Sequence, residues 1–516
     1  MGWIFLATNS AVSFLNMLSL GGLVATIVVL SIIRYWKDIN EFMKVRRELL
    51  RCSSSLPGPP RIPFFGNAHQ FIDAAKAVLI LNQMSRDMNA KTFVIWLGPM
   101  MKVVVTDPRD YEIIMASAKA SEKDKVYDFM GPAVVNSLIN GGGPTYRAHK
   151  KLVVPLINGG KLLPEHIKQF NLHTKIMVKN MAERIGTGQY DIHDTIVPCV
   201  ADIVFETIFG VPGVAQQGKR NILVDESERL LHLIYKRILT FWLWPSMIFF
   251  RTSTGKQLSQ IVAQSHRFVD DIISKKKLEL MEMMRQGIEP DLKKSAVLDQ
   301  VLSHMLKTKS WTDEEMRYEM VTLFIGSHDT IAGMSCFLAL ALAMHPDIQK
   351  KVRDELQEVV GASDFTEENI ANMKYLDMVV KETIRLFPVG PVLGRQMTGD
   401  LKLATCTLPK GASIFMLPYI THRDPMYWVE PEKFMPERFS AENSVGRHPW
   451  AYVPFSGGIR SCPGSKYGMI CIKTIICQML RHYELDTTVA YENLHLHAHI
   501  STRCVDGYPI ILKKLK

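Results

Sequence analysis

The sequence lacks the features that mark several common protein classes. Its eight cysteines form no C-x-x-C pair and no regular framework, so we expect free thiols in a reducing compartment rather than a disulfide scaffold. There is no run of five or more Lys and Arg residues, and no zinc-finger or aromatic RNA-binding signature. We therefore expect no nucleic-acid partner. No internal repeat is present, which argues against a solenoid or propeller.

The composition is that of a globular protein with a moderate basic excess. Of the 516 residues, 47% are hydrophobic and 22% are charged, which excludes disordered, collagen-like and polytopic membrane classes. The 61 Lys and Arg residues exceed the 51 Asp and Glu residues by ten. A surface of this kind suits an anionic membrane or an acidic protein partner. The length alone is compatible with about three domains or with one large catalytic unit.

Charge is absent from residues 3–33. Apolar density is highest from Phe14 to Ile33, about the 20 residues that a helix needs to cross a bilayer. A cleaved signal peptide is the competing interpretation, but a charged n-region is missing and the apolar stretch is too long. Basic residues follow the apolar stretch and predict that the rest of the chain faces the cytosol; they are Arg34, Lys37, Lys44, Arg46, Arg47 and Arg51.

Two further segments bear on how the protein meets a membrane. Residues 56–66 are rich in proline, whose fixed φ and missing N–H donor make a stiff, non-helical connector. The stretch from Ile238 to Phe250 is apolar and aromatic but too short to span a bilayer. It is either the end of a core helix or a loop that dips into the membrane, where Trp favours the interface.

Local patterns predict a few elements directly. Apolar residues from Phe93 to Thr106 flank Gly98-Pro99 and predict a β-hairpin. Most of 160–385 has helical periodicity. A helix of about thirty residues is predicted from Thr312, a suitable N-cap, to Met344. The polar group 326–330 in its middle needs a partner or a function, because polar side chains are costly inside a buried helix.

The sharpest local feature is a glycine-rich loop, 455–464, that contains Cys462 and precedes an apolar helix predicted from about Gly468 to Leu480. Backbone N–H groups and a helix N-terminus both stabilise a thiolate. Cys462 is therefore a candidate metal ligand or nucleophile. For an isolated cysteine, burial in a tight turn would be the commoner explanation.

Several stretches resemble motifs of the cytochrome P450 superfamily. The loop matches the haem-ligand pattern F-x-x-G-x-R-x-C-x-G at Phe455, Gly458, Arg460, Cys462 and Gly464. The E-x-x-R motif is matched by Glu382 and Arg385, and the P-E-R-F segment by 436–439, which includes Arg438. The oxygen-activation motif A/G-G-x-D/E-T-T/S is matched by 326–331, with Asp329 as its acid and Thr330 as its alcohol.

The resemblance covers nearly the whole chain and implies a fold. That fold is mainly α with small β-sheets (α+β), the cytochrome P450 fold, preceded by an N-terminal transmembrane helix. We expect a membrane anchor at 1–33, a basic and proline-rich linker at 34–66 and one haem-thiolate catalytic domain at 67–516. The implied location is the endoplasmic reticulum membrane, crossed once, with the catalytic domain in the cytosol.

The resemblance also implies chemistry. Cys462 would be the axial thiolate of haem b, and the reaction would insert one oxygen atom of O2 into a hydrophobic substrate. Electrons would come from NADPH through an NADPH–cytochrome P450 reductase, with cytochrome b5 as a further partner. The acid and alcohol, Asp329 and Thr330, would organise proton delivery. Arg395 and Arg460 would hold the haem propionates, and Phe455 would also contact the cofactor.

Three further residues, Glu382, Arg385 and Arg438, would form a buried ion network on the proximal side of the haem, since buried charges must be mutually satisfied.

The sequence departs from the family pattern at several positions. Tyr146 and Lys150 replace the usual W-x-x-x-R pair; both can donate to a propionate, but Lys lacks the guanidinium fork. Ser327 replaces a glycine and Ile331 a hydroxyl residue. These changes leave the central chemistry in place but bear on haem retention and on coupling.

The triplet 328–330 and the stretch 422–425 resemble the clan of fatty-acid ω-hydroxylases and many insect enzymes. Gly326 stands where that clan often has a glutamate that esterifies the haem, so we expect no covalent attachment there. The implied substrate is a fatty acid, a hormone-like lipid or a xenobiotic, entering from the bilayer beneath Ile238 to Phe250. The alternative is a haem-thiolate protein that does not use O2, such as a peroxide isomerase or a haem-dependent binder. Asp329 and Thr330 favour the monooxygenase.

Overall fold

The computed structural model describes residues 25–27, 29–31, 33–159, 162–219, 221–289, 291, 295–498 and 500–515. Of the anchor expected at 1–33, only residues 25–27, 29–31 and 33 are among them, so most of it lies outside the described residues. The described part is mainly helical with small sheets, which confirms that aspect of the expected fold.

The helices enclose one large apolar core. In chain order they are α1 Trp36–Ser55, α2 Ala77–Asp87, α3 Pro108–Ala116, α4 Gly143–Asn158, α5 Leu163–Met181, α6 His193–Val204, α7 Ile222–Leu239, α8 Ser246–Phe249, α9 Ser253–Arg285, α10 Val297–Thr308, α11 Asp313–Met344, α12 Pro346–Val359, α13 Glu367–Asn372, α14 Lys374–Leu386, α15 Pro418–Thr421 and α16 Ser465–His482.

The strands are short and lie around this helical body. They are β1 Thr92–Leu97, β2 Met100–Val105, β3 Glu122–Lys123, β4 Gln189–Asp191, β5 Leu393–Gln396, β6 Leu401–Lys402, β7 Thr407–Leu408, β8 Ser413–Met416, β9 Tyr483–Asp486, β10 Leu496–Ala498, β11 Thr502–Cys504 and β12 Pro509–Lys514. The largest sheet has the order β1-β2-β8-β5-β3, and the others are β4-β12-β9, β10-β11 and β6-β7.

The predicted hairpin is confirmed by the antiparallel pairing of β1 with β2 around Gly98. At this turn Gly98 has a φ of +53°, a left-handed value that glycine adopts without strain. Strand β2 continues the sheet by pairing in parallel with β8, and β8 pairs with β5. Pairing with β8 thus fixes the position of β5, which contains Arg395, in this sheet.

The long helix α11 runs through the core and packs against α6, α9 and α16. It begins as predicted, because Thr312 Oγ1 accepts from the Glu315 N–H while the Glu315 carboxylate accepts from the Thr312 N–H at 2.7 Å. Among the described residues it is the helix that is long and apolar enough to cross a membrane, but 83% of its most apolar window is buried inside the protein. We therefore assign α11 as a core helix.

Candidate functional site

The Cys462 loop leads directly into α16, which begins at Ser465. The Cys462 N–H donates to the Phe455 carbonyl at 2.9 Å, which closes the loop. Burial raises the pKa of the Cys462 thiol, while the Gly464 N–H and the charges of Lys150 and Lys123 act to lower it. Because its side chain is nonetheless accessible, the sulfur faces a space enclosed by the protein and can bind a ligand there.

Gly458 is required by the shape of this loop. Its φ is +63°, and a Cβ atom at this position would collide with the backbone of Met115 in α3. Both the conformation and the close approach exclude a larger residue. Gly464, by contrast, does not have a positive φ, and a Cβ atom added there would meet no other heavy atom within 4 Å.

We therefore expect Gly458→Ala to displace the Cys462 loop and Gly464→Ala to be tolerated. The first variant should lose about 2 kcal/mol or more of stability, since strain and overpacking add. Thermal unfolding and haem content of the purified full-length proteins measure the difference. Equal behaviour of the two variants would contradict the packing of the loop on α3.

The middle of α11 opens toward the same region. Gly326 and Thr330, one turn apart, are exposed in a helix whose neighbouring side chains are buried. The hydroxyl of Thr330 donates to the Gly326 carbonyl at 2.7 Å, which leaves its oxygen able to accept from water. A Cβ atom added to Gly468 in α16 would lie 4.0 Å from Ile331 Cγ1, so the two helices approach closely there. Helix α11 thus packs against α16, the helix that follows the Cys462 loop.

Within the part of the chain that the structure describes, two buried arginines near the Cys462 loop form no ion pair. Arg395 is 2% exposed and donates to the Gly394 carbonyl and to Ser456 Oγ. Arg460 is 6% exposed and donates to two backbone carbonyls, while its Nη1 is buried without a hydrogen-bond partner. Burying a charged guanidinium group that donates hydrogen bonds only to neutral oxygens costs free energy of folding. These two side chains therefore suit a ligand that carries carboxylates.

Lys123 belongs to the same cluster. Strand β3 pairs with β5 so that Lys123 lies opposite Arg395, and like charges in that position destabilise a sheet. Burial and the charges of Arg395 and Arg460 hold the pKa of Lys123 well below its usual value. An anionic group bound between them would relieve the repulsion.

Tyr146 and Lys150, which replace the Trp and Arg of the family pattern, make different contacts. The ring of Tyr146 lies under the Arg460 guanidinium, whose carbon is 3.9 Å from the ring centroid. The ammonium of Lys150 donates to the Ile459 carbonyl at 2.9 Å and to Ser461 Oγ at 3.1 Å. Lys150 therefore holds the Cys462 loop, and Tyr146 orients Arg460. Phe455 packs half-buried against the main core.

Glu382, Arg385 and Arg438 are brought together as an ion network. Arg385 contacts the Glu382 carboxylate through Nε at 2.7 Å and Nη2 at 2.9 Å, and Arg438 Nε lies 3.2 Å from the same carboxylate. All three side chains are 5% exposed or less. The remaining donors of both arginines meet backbone carbonyls, so the network is mutually satisfied.

The family model described as Cytochrome P450 matches residues 56–495 of this chain. The chain belongs to the cytochrome P450 family. Human cytochrome P450 4V2 (Homo sapiens) is 32% identical over 429 residues, covering 81% of this chain and 82% of that protein. Cytochrome P450 4V2 of Rattus norvegicus is 29% identical over 497 residues, covering 94% and 92%. Cytochrome P450 4c3 of Drosophila melanogaster is 27% identical over 484 residues, covering 90% of each.

Membership of the cytochrome P450 family makes the chain a haem-thiolate monooxygenase, an oxidoreductase whose iron is bound by a cysteine thiolate. The described residues fit that cofactor. An accessible thiol in an enclosed space, Cys462, suits the iron. The cations Lys123, Arg395 and Arg460, which form no ion pair among the described residues, suit the two haem propionates.

Sequence reasoning missed part of this P450 site. Lys123 lies in no recognisable motif. Its position opposite Arg395 follows from the pairing of β3 with β5, which are more than 270 residues apart in the chain. The partner of Asp329 was also missed: its carboxylate pairs with Arg503 of β11. A lone basic residue near the C-terminus gives no local signal of that contact.

Proposed function

We propose that this cytochrome P450 hydroxylates a hydrophobic substrate with O2, using electrons that an NADPH-dependent reductase delivers. The observation that carries the proposal is that α11, whose exposed Thr330 interrupts an otherwise buried face, packs against α16, the helix that directly follows the accessible Cys462. Haem bound through a thiolate supplies electron-rich iron that favours O–O cleavage. A protein hydroxyl beside that position is suited to holding the water that carries protons.

The chain's own residues take distinct roles in this proposal. Cys462 binds the iron, and the Gly464 N–H with Lys150 favours its thiolate form. Arg395 and Arg460 hold the propionates, and Tyr146 keeps Arg460 in place through its ring. Glu382, Arg385 and Arg438 fix α14 to the segment before the Cys462 loop. Because Gly326 has no side chain, no covalent bond to haem forms at that position.

We expect Thr330→Ala to uncouple electron consumption from hydroxylation, because the variant removes the oxygen that would hold a proton-carrying water. Product formed per NADPH should fall by at least about tenfold, since loss of a proton-transfer group typically costs about 10²–10⁴-fold, while peroxide or water increases. Thr330→Ser keeps the hydroxyl and should retain most coupling. Undiminished coupling in Thr330→Ala would show that another group delivers protons.

An apolar surface supports the proposed membrane association. Phe64 of the connector is 92% exposed, and Met247 of α8 is 72% exposed. The two segments meet, since the rings of Phe65 and Phe241 lie 5.6 Å apart. Within the stretch 238–250, Phe249 is fully buried, while its neighbours Ile248 and Phe250 are exposed. We propose that this surface rests on the endoplasmic reticulum membrane, below an anchor formed by residues 1–33.

A basic surface supports docking of an acidic redox partner. Arg147 and Lys151 are exposed on α4, on either side of Lys150, whose ammonium contacts the Cys462 loop. Electrons entering through this face would have a short path to the site. We propose that a reductase, and cytochrome b5, dock here.

The substrate class is proposed to be a fatty acid or another hydrophobic molecule that enters from the bilayer. The test is reconstitution of the full chain with reductase, NADPH and a panel of fatty acids, terpenoids and xenobiotics. Hydroxylated product that requires both NADPH and reductase is the expected result. Substrate-dependent NADPH consumption without such product, or turnover of a lipid peroxide without NADPH, would contradict the proposal.

A further inference from the structure

An open cleft lies where α1, the proline-rich connector and the β1–β2 hairpin meet. Its volume is about 490 Å³, within the range of about 300–1,000 Å³ that small-molecule ligands occupy. Two charged side chains line it, Arg46 of α1 and Arg61 of the connector, and the rest of its lining is apolar residues and glycines. We call it the Arg46–Arg61 cleft.

Both arginines of the cleft rest on one indole ring. The guanidinium carbons of Arg46 and Arg61 lie 4.7 Å and 5.2 Å from the centroid of the Trp96 ring, within the range of a cation–π contact. Trp96 is buried, and its Nε1 donates to Ser53 Oγ at 3.1 Å, which fixes the ring. Arg46 Nη1 also donates to the Pro99 carbonyl at 2.9 Å. A stacked guanidinium keeps N–H groups at its edge, where they can bind an anion.

The protein does not neutralise this pair of positive charges. Among the described residues, neither arginine of the cleft forms an ion pair. Two carboxylates of α1 pair elsewhere, Glu48 with Arg51 at 2.7 Å and Glu41 with Lys410 at 3.3 Å. Two like charges on one ring repel each other. An anion bound in the cleft would relieve that repulsion.

The shape of the cleft is fixed before any ligand binds. Ile62 and Gly66 exchange backbone hydrogen bonds at 3.0 Å and 2.8 Å, and the turn that they close has Phe64 at its tip. Asn67 Oδ1 accepts from the Trp96 N–H at 2.9 Å, which pins the connector to β1. A Cβ atom on Gly66 would collide with Trp96, so the two segments are in close contact. A preformed site binds its ligand with less loss of entropy.

The rim of the cleft is apolar and exposed. Leu50, Ile62 and Phe64 all line it and all face solvent. The rim continues into the stretch 238–250, because a Cβ atom added to Gly98 in the hairpin turn would meet the ring of Phe241. A ligand held here would therefore have an anionic end at the arginines and an apolar part along the rim.

We propose that the Arg46–Arg61 cleft binds the headgroup of an anionic phospholipid. The two guanidinium groups hold the phosphate, for which arginine has matching bidentate geometry. The acyl chains lie over the exposed side chains of Leu50, Ile62 and Phe64. The cleft is lined by α1, the connector and the β1–β2 hairpin, not by the Cys462 loop or α11, so the lipid is a structural ligand and not the molecule that reacts.

The charge of the cleft also selects among phospholipids. A choline headgroup would bring a third positive charge close to the two arginines, whereas a headgroup with net negative charge would not. Basic residues beside a membrane anchor attract anionic lipids in general, but here two of them share one preformed cleft. The inference rests on the proposed membrane association and does not depend on the reaction.

The test uses the full-length holoenzyme in micelles of a neutral detergent. The micelles contain a rising fraction of dioleoylphosphatidylserine or of dioleoylphosphatidylcholine, and native mass spectrometry counts the lipids that each chain retains. We expect one phosphatidylserine per chain at low lipid fraction and weaker retention of phosphatidylcholine. Arg46→Gln combined with Arg61→Gln should raise the half-saturating fraction of phosphatidylserine at least about tenfold, because two charged hydrogen-bond donors to phosphate are lost.

Arg47→Gln combined with Arg51→Gln is the matched control. It removes the same charge from the same stretch of chain, and neither residue lines the cleft. This variant should retain phosphatidylserine as the wild type does. Equal losses in the two double variants would show diffuse attraction and would overturn the site.

Two further results would contradict the proposal. Equal retention of both phospholipids by the wild type would remove the charge selection, and oleate bound in preference to phosphatidylserine would assign the cleft to a fatty acid. If the Arg46 and Arg61 double variant does not fold, the exposed Arg61→Gln alone should still weaken retention severalfold, and unchanged retention would overturn the site. Since no turnover is measured, a chain that forms no product would contradict the proposed function while the cleft is still tested.

Discussion

Replacement of Cys462 by His is expected to abolish the red-shifted Soret band of the reduced carbon-monoxide complex. That band requires a thiolate opposite the carbon monoxide, and imidazole donates less electron density to the iron. The effect should be complete, because no other described cysteine shares the enclosed space: Cys462 is the exposed member of the set. Absorption spectra of the purified full-length variant, before and after reduction under carbon monoxide, make the measurement.

Cys471→Ala is the matched control for this prediction. Cys471 lies nine residues further along, inside α16, where it is fully buried and burial raises the pKa of its thiol. Its loss should leave the spectrum unchanged while costing some stability. An unchanged spectrum in Cys462→His would remove Cys462 from its role as axial ligand.

Loss of the Glu382 carboxylate is expected to have the second largest effect. Glu382→Gln would leave Arg385 and Arg438 buried without a negative charge, and breaking a buried pair in this way costs about 3–5 kcal/mol. That is a large part of the roughly 5–15 kcal/mol by which folded proteins are usually stable. We expect little soluble holoprotein, and a lower midpoint in urea unfolding of what is recovered.

Glu437→Gln provides the comparison within the same region. Glu437 pairs with Lys351 at the surface, where its side chain is 41% exposed, and exposed pairs contribute about 1 kcal/mol or less. Equal losses in the Glu382 and Glu437 variants would show that the buried network does not hold α14 to the P-E-R-F segment.

The parts of this fold that were predictable from sequence are those with local signals. The hairpin followed from two apolar runs around Gly98-Pro99, and the start of α11 from the capping residue Thr312. Helix α16 was predicted from about Gly468 but begins at Ser465. Its first turn is polar, so hydrophobic periodicity alone could not detect it.

The parts that were not predictable depend on contacts between distant segments. Arg503 meets Asp329 across 174 residues of chain, and β3 meets β5 across a still longer separation. Neither Arg503 nor Lys123 stands in a motif, so their partners follow only from the tertiary structure. The contacts of Lys150 were equally hidden: its ammonium donates to the Cys462 loop, and no local pattern predicts that pairing.

The structure also shows where some of the excess basic residues lie. Arg147 and Lys151 lie on the outer face of α4, whereas Lys123, Arg395 and Arg460 are turned inward to the site. Part of the positive charge is therefore buried and is not available to a docking partner.

Isotope incorporation from labelled dioxygen tests the central claim most directly. The full chain, reconstituted with reductase, NADPH and a substrate that it turns over, should place one atom of ¹⁸O from ¹⁸O2 in each molecule of product. Mass spectrometry of the product gives the answer. Product that carries oxygen from water or from a peroxide, and none from ¹⁸O2, would contradict the assignment of this cytochrome P450 as an O2-dependent hydroxylase.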